Sequence, residues 1–221
     1  MTTRILLEPV SLVLYEDPLW PWCLVAEQRI RAVLAEVDEG YGPLRLMPFP
    51  LRKEPRVLTA AERKRLARAA RSAAREPEAS RTTPDLWLSQ DPPLTTVPVL
   101  TALAAARLQG ASREEALRKA ILEAGLVRGI NVTRRDVLYE LAETSGLDVS
   151  RFAGAFAAPA TERHVLDVFE DAVDKGVEGA PALVIGDEWL VLGPRTATEY
   201  AEVLRRYAAT RSGVPQKRTV H

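Results

Sequence analysis

The segment Val10–Cys23, VSLVLYEDPLWPWC, decides how this chain begins to fold. Residues 10–15 form a compact β-branched and aliphatic run of strand length, which a charged turn containing proline ends. From Cys23 to Val37 the apolar residues recur mostly at spacings of three and four, which predicts a helix with one buried face. A second apolar run at residues 44–51 predicts another strand, whose two prolines confine its far end to a sheet edge or to departure from the sheet. The chain therefore begins strand–helix–strand, a unit whose two strands run parallel.

The middle of the chain carries helix signals. Thr59–Glu62 and Ser112–Glu115 both match the capping-box pattern, and each precedes an amphipathic run. Residues 97–109 are rich in alanine and predict a further helix. We therefore expect residues 57–158 to form a helical insertion.

The last third of the sequence returns to mixed structure. A helix at residues 161–175 precedes two apolar runs, Ala182–Ile185 and Trp189–Leu192, which a Gly-Asp turn separates, so they predict a hairpin. A capping box at Thr196–Glu199 opens the final predicted helix.

The order of these elements predicts an α/β protein with a thioredoxin fold, β-α-β followed by α-β-β-α, around a helical insertion. Residues 1–56 and 159–210 would form the thioredoxin-like domain, residues 57–158 the insertion, and residues 211–221 a mobile tail.

Charge and cysteine content exclude several functions. Thirty basic and thirty acidic residues give a formal net charge of zero, so we expect neither nucleic acid nor membrane as a partner. No apolar stretch approaches the roughly 20 residues of a membrane span, and the N-terminus lacks the features of a leader, so we expect a cytoplasmic protein. One cysteine cannot form an internal disulfide, and with two histidines it makes no zinc set. We expect no metal and no cofactor.

Four stretches carry a resemblance to a known family: DPLWPWC, LMPFPLR, GINVTRRDVLYELAETSGLD and GVEGAPALVIGDEWLVLG. With these the chain resembles the DsbA-like thioredoxin superfamily, most closely its cytosolic branch. The resemblance implies a thiol-disulfide oxidoreductase family, and it implies a cis bond between Ala180 and Pro181. It also implies that these two residues face Trp20 and Cys23 and offer backbone groups to an extended peptide.

The same resemblance places Trp20 where the family has its attacking cysteine and Cys23 where it has the resolving one. Indole is not a nucleophile, so we expect no dithiol catalysis and at most residual monothiol activity at Cys23. The helical spacing puts Cys23 on the apolar face, which favours a buried, inert thiol instead.

A binding function is the alternative. The predicted groove for an extended peptide or client protein is lined by Trp20, Trp22, Leu94, Val97, Ala180 and Pro181. Some cytosolic relatives act as non-enzymatic adaptors, and such a groove would suit that role. Trp20 is either an anchor of this groove or a packed plug, and the sequence leaves both open.

Overall fold

The computed structural model describes residues 8–37 and 40–211. In this part of the chain, four strands form one mixed sheet in the order β2-β1-β3-β4. The strands are β1 (Val10–Glu16), β2 (Tyr41–Pro48), β3 (Ala182–Ile185) and β4 (Trp189–Leu192). β1 pairs parallel with β2 and antiparallel with β3, and β3 pairs antiparallel with β4. The tail predicted at residues 211–221 lies outside the described residues, apart from its first residue.

Nine α-helices accompany the sheet within the described ranges. They are α1 (Pro21–Glu36), α2 (Ala60–Ala73), α3 (Asp85–Leu88), α4 (Val97–Arg107), α5 (Ala111–Leu122), α6 (Arg135–Thr144), α7 (Val149–Ala157), α8 (Pro159–Asp174) and α9 (Ala197–Arg211). A short 3₁₀ helix covers Pro77–Ala79, and a π-helical turn at Glu123–Val127 continues α5. The thioredoxin fold predicted from the order of elements is confirmed.

The C-terminal hairpin has the predicted bounds. Residues 186–188 connect the two strands, since Ile185 pairs with Trp189, and Gly186 and Asp187 both have positive φ angles, 62° and 59°. A Cβ atom on Gly186 would lie 1.7 Å from the hydroxyl oxygen of Tyr207. A side chain at this position would have to displace the ring of Tyr207, because α9 packs directly over the turn.

Two local predictions are wrong. The second strand covers Tyr41–Pro48 rather than residues 44–51, because its pairing with β1 already begins at Tyr41 and because Phe49 turns to pack against Phe169. The capping box predicted at Ser112–Glu115 does not form. The helix begins at Ala111, directly after Gly110, whose φ of 113° ends the preceding turn and leaves Ser112 inside the helix.

Both faces of the sheet are covered, which explains why residues 12–15 of β1 are all apolar. Leu12 and Leu14 pack with residues of α1 and α9, such as Ile30 and Tyr200. The alternate residues, Val13 and Tyr15, face α8 on the other side. The helices after β2 enclose a separate core, and Leu19 from the turn before α1 reaches into it.

A buried ion network joins the two parts of the molecule. Arg118 of α5 donates two hydrogen bonds to Glu16 at the end of β1, Nε to Oε1 at 3.1 Å and Nη2 to Oε2 at 2.9 Å. The same Nη2 lies 2.6 Å from Oε2 of Glu27 on α1, and Arg31 pairs with the other oxygen of Glu27. Burial acts to lower the pKa of Arg118, but Glu16 and Glu27 outweigh it and raise that pKa above its ordinary value. The helical layer is therefore held to β1 and α1 by charge as well as by apolar contact.

Replacing Arg118 with methionine should lower the free energy of unfolding by about 3–5 kcal/mol, because two buried carboxylates lose their shared cation. Arg107→Met is the matched control, since Arg107 pairs with Glu114 at the surface and should cost less than about 1 kcal/mol. Urea unfolding at pH 7.5 measures both. Equal losses for the two variants would contradict the claim that the network holds the layers together.

Candidate functional site

The turn that leads into α1 is built around the side chain of Asp17. Its Oδ1 accepts a hydrogen bond from the backbone N–H of Leu19 at 3.0 Å. Its Oδ2 accepts one from the N–H of Leu51 at 2.9 Å and one from the hydroxyl of Thr96 at 2.6 Å. A single buried carboxyl thus joins this turn to the segment after β2 and to the entry of α4.

The helix itself begins without a side-chain cap. Trp20 is its N-cap residue in an extended conformation, and Pro21 follows at the first helical position, where its missing N–H costs nothing. The N–H of Cys23 donates to the carbonyl of Trp20 at 2.8 Å, which closes the first turn. The indole of Trp20 is half-buried.

Cys23 is completely buried, with 0% of its surface exposed, so the burial predicted from helical spacing is confirmed. Its sulfur accepts a hydrogen bond from the N–H of Asp17 at 3.5 Å. Burial, and then the carboxylate of Glu16, raise the pKa of the thiol well above its ordinary value. The dipole at a helix N-terminus stabilises a thiolate by only about 0.3–1 kcal/mol. Full burial can raise the pKa of a thiol by up to roughly 3–5 units, and each unit corresponds to about 1.4 kcal/mol, so burial outweighs the dipole. The thiol is therefore neutral, and solvent does not reach it.

Beside Trp20 lies a cavity of about 490 Å³, a size typical of small-molecule sites. It lies between the turn before α1, the segment after β2 and the helical layer. Its lining consists of Asp17, Leu19, Trp20, Leu51, Arg52, Lys53, Glu54, Arg56, Leu58, Arg65, Leu66, Trp87 and Thr96.

Backbone pairing holds one wall of this cavity. The N–H of Thr96 donates to the carbonyl of Arg52 at 3.0 Å, and the N–H of Arg56 donates to the carbonyl of Leu94 at 3.1 Å. The hydroxyl of Thr95 donates to the carbonyl of Arg52 at 2.6 Å. The segment from Arg52 to Arg56 is thus fixed to the entry of α4 instead of moving freely over the cavity.

Of the six side chains predicted to line a peptide groove, the cavity contains only Trp20. Trp22 packs against Val25, Ala73 and Ala79, away from that lining. Val97 is buried, whereas Leu94 is 46% exposed. The carbonyl of Leu94 accepts a hydrogen bond from Nη2 of Arg52, a residue of the cavity lining.

The remaining two predicted residues, Ala180 and Pro181, do not line the cavity. Ala180 packs against the β1 residues Val13 and Tyr15. Pro181 is buried, its bond to Ala180 is cis, and its carbonyl accepts a hydrogen bond from the N–H of Gly193 at 2.8 Å. A groove that joins Trp20 to Pro181 stays a prediction.

Sequence reasoning missed the polar residues of the cavity. Asp17 lies directly after the first strand, and that position was the only local signal for its role. Thr96 and Arg52 carried no signal, because their partners are 79 and 42 residues distant along the chain.

Asp17 has an unusual protonation equilibrium. Burial raises its pKa to about 6, and the hydrogen bonds from Thr96, Leu51 and Leu19 offset only part of that rise. Its carboxyl group is thus partly protonated near neutral pH.

Among the described residues, no three carboxylate, histidine or cysteine side chains form a possible metal site. No helix within these ranges has the length and apolarity needed to cross a membrane.

Comparison with known proteins places this site in a family. A family model for the DSBA-like thioredoxin domain matches residues 11–205. The chain belongs to this family. No curated protein sequence matches the chain. The predicted DsbA-like resemblance is therefore confirmed at the level of the domain.

Solved DsbA-like structures share the fold at low identity. A Nitrosomonas europaea protein provisionally assigned as a protein disulfide isomerase superposes with a TM-score of 0.79 at 21% identity, over 92% of this chain and 99% of that one. The cytosolic disulfide reductase DsbM of Pseudomonas aeruginosa, solved with GSH, gives 0.63 at 21% identity, over 91% and 98%. At these low identities, the structural similarities establish only the fold of this DsbA-like chain.

Because Cys23 is buried and neutral, it should resist alkylation in the folded protein. We expect iodoacetamide at pH 8 to modify it at least about a hundredfold more slowly than in 6 M guanidinium, since reaction requires opening of the helix start. Mass spectrometry reads the result unambiguously, because the chain has one cysteine. Modification of the native protein at the rate of a free thiol would contradict this description.

Ionisation of Asp17 should destabilise the folded protein as pH rises. Below about pH 4 Asp17 is protonated in both the folded and the unfolded protein. Between pH 4 and 6 the unfolded protein loses this proton first, so the free energy of unfolding falls by about 3 kcal/mol. Above about pH 6 Asp17 is ionised in both states, and the free energy of unfolding no longer changes through this group. Asp17→Asn does not titrate, so the stability of the parent minus that of the variant should fall over this window. Thr96→Val removes a hydrogen bond to the charged form and should move the titration to higher pH. A difference that is constant from pH 4 to 7 would show that Asp17 is ionised throughout.

Proposed function

We propose that this DsbA-like protein performs no dithiol–disulfide exchange at the start of α1 and acts instead by binding a ligand in the cavity beside Trp20. One observation supports the loss of exchange above all others. The single cysteine is completely buried at the third position of the helix, and its pKa is raised.

Disulfide exchange needs an exposed thiolate that attacks and a second thiol that resolves the mixed disulfide. The resemblance gives the attacking position to Trp20, whose indole cannot form such a bond. Cys23 stands at the resolving position and has no second thiol to meet. Monothiol chemistry at Cys23 is then limited to brief openings of the helix start, so any such activity is slow.

The binding half of the proposal is supported by the cavity. Its walls are fixed by the hydrogen bonds of Asp17 and by the pairing between Arg52 and Thr96, so it exists without a ligand to shape it. It adjoins the start of α1, the same place where the family carries out its chemistry. The cytosolic relative DsbM supports a cytoplasmic location for this activity. The adaptor alternative has no comparable support, because Trp20 is the only one of its six predicted groove residues that lines the cavity.

The redox part of the proposal has a direct test. The protein should reduce insulin disulfides with dithiothreitol no faster than the uncatalysed reaction, and Cys23→Ser should not change that rate. Trp20→Cys should gain turnover, because a thiol at this half-buried N-cap position feels the helix dipole and has Cys23 three residues away. Trp22→Cys is the matched control, since its side chain packs against Ala73 and Ala79 and its spacing to Cys23 is wrong.

Robust turnover by the parent protein that Cys23→Ser abolishes would overturn the proposal and make Cys23 catalytic. If Trp20→Cys folds but gains no exchange, the turn before α1 has lost more than its first thiol, and the parent protein still counts as inactive.

A further inference from the structure

The cavity has more positive than negative charge on its lining. Four of its side chains are cationic and two are acidic; the cationic ones are Arg52, Lys53, Arg56 and Arg65, and the acidic ones are Asp17 and Glu54. This local excess stands out in a chain whose formal net charge is zero. An electrostatic preference of the cavity therefore comes from its own residues and not from the protein as a whole.

Two of the four cations already have partners. Arg56 donates to both carboxylate oxygens of Glu62, at 3.0 and 2.5 Å. The ammonium group of Lys53 lies 5.4 Å from the centre of the Phe169 ring. Arg52 and Arg65 remain as the groups that can meet a ligand.

Arg52 is held in place by its own hydrogen bonds. Its Nη2 donates to the carbonyls of Arg56 and Leu94, at 2.9 and 2.8 Å. Its Nε is buried and has no hydrogen-bond partner among the described residues. Its Nη1 also donates no hydrogen bond to any of them. Burial, and then the positive charge of Arg56, lower the pKa of Arg52, as expected for a cation without a counter-ion. Arg65 is exposed, and its side chain forms no hydrogen bond or ion pair with any described residue.

The rest of the lining is mainly aliphatic. Leu51 is 40% exposed, and Leu66 and Trp20 are half-buried, so these three offer apolar surface to an occupant. Leu19, Leu58 and Trp87 close the cavity from the protein side, and each is buried. An apolar body that covered this surface would be stabilised by roughly 25 cal/mol for each Å² removed from water.

From this arrangement we infer that the cavity binds a small aliphatic carboxylate, with its chain against Leu51, Leu66 and Trp20 and its carboxylate on Arg52 and Arg65. The inference rests on the proposed binding function and names the ligand class. The guanidinium of Arg65 can recognise a carboxylate through parallel hydrogen bonds, which a neutral head group cannot reproduce, and Arg52, whose Nη2 is already used, can add a bond from Nη1. A cationic amphiphile would meet four positive groups.

The acidic residues of the lining do not reverse this preference. Both oxygens of Asp17 already accept hydrogen bonds from Leu19, Leu51 and Thr96, and the residue is buried. Glu54 is exposed to solvent, where salt and water screen its charge.

Three matched probes test the ligand class: decanoate, decanol and decylamine, each below its micelle concentration, at pH 7.5 and low salt. Calorimetry should show that decanoate binds most tightly. In spectra of the tryptophan side chains, decanoate should shift the indole signal of Trp20. It should leave unchanged the signal of Trp189, which lies on β4 and packs against Tyr207 of α9.

Arg65→Ala should weaken decanoate binding by about fivefold and leave decanol binding unchanged, because it removes one partly exposed charge contact. Arg68→Ala is the matched control, since Arg68 is an exposed arginine on the same helix that does not line the cavity. It should affect neither probe. Both arginines are exposed, so neither variant threatens the fold.

The possible outcomes separate the two proposals. The inference that the ligand is a carboxylate is overturned if decanol or decylamine binds as tightly as decanoate or more tightly. It is also overturned if the Arg65→Ala variant binds decanoate as well as the parent does. Either result leaves the proposed binding function of the cavity in place. If no probe binds, or if the signal of Trp189 moves and that of Trp20 does not, both the ligand class and the proposed binding function are wrong. The insulin assay judges the loss of redox chemistry separately.

Discussion

The contact between Arg118 and the two carboxylates of Glu16 and Glu27 determines how the rest of this structure is arranged. Glu16 ends β1 and Glu27 lies on α1, so both carboxylates lie beside the start of the functional helix. Such groups are tolerated inside a protein only when a cation and hydrogen bonds replace their water. Arg118 supplies that cation from α5 in the helical layer. The layer therefore has one position over β1 and α1.

This position has consequences for the thiol. Burial, and then the carboxylate of Glu16, raise the pKa of Cys23, and the residue after Glu16, Asp17, donates its backbone N–H to the sulfur. The features that seat the helical layer also keep the thiol buried and neutral. An active dithiol site needs the opposite environment at its attacking residue, namely exposure and a stabilised negative charge. Here the half-buried position at the helix start belongs to Trp20, and an indole there provides contact area instead of reactivity.

Sequence reasoning succeeded where the information is local. The hairpin at residues 182–192, the helix face of Cys23 and the capping box at Thr59 each depend on neighbours within a few residues, and the structure has all three. It failed where backbone pairing overrides a local pattern, as at β2, which starts three residues earlier because Tyr41 pairs with Val10.

The candidate site was harder to predict than the fold because its members come from distant parts of the chain. Thr96 meets Asp17 across 79 residues, and Arg118 meets Glu16 across 102. No periodicity encodes such pairs, since each partner is an ordinary polar residue in its own segment. The resemblance to the family indicated Trp20 and Pro181 but could not show that Arg52 and Arg65 would line the cavity beside Trp20.

The charge of the cavity follows from the same long-range packing. Arg52 and Arg56 come into the lining because the segment after β2 pairs with residues 94–96, and Arg65 comes in because α2 begins just beyond that segment. Glu62 neutralises Arg56 through the side chain that also completes the capping box of α2. The acid that could have balanced a second arginine is thus already used for the helix start. Positive charge remains next to exposed leucine side chains, and an occupant with one negative charge and an aliphatic body satisfies both.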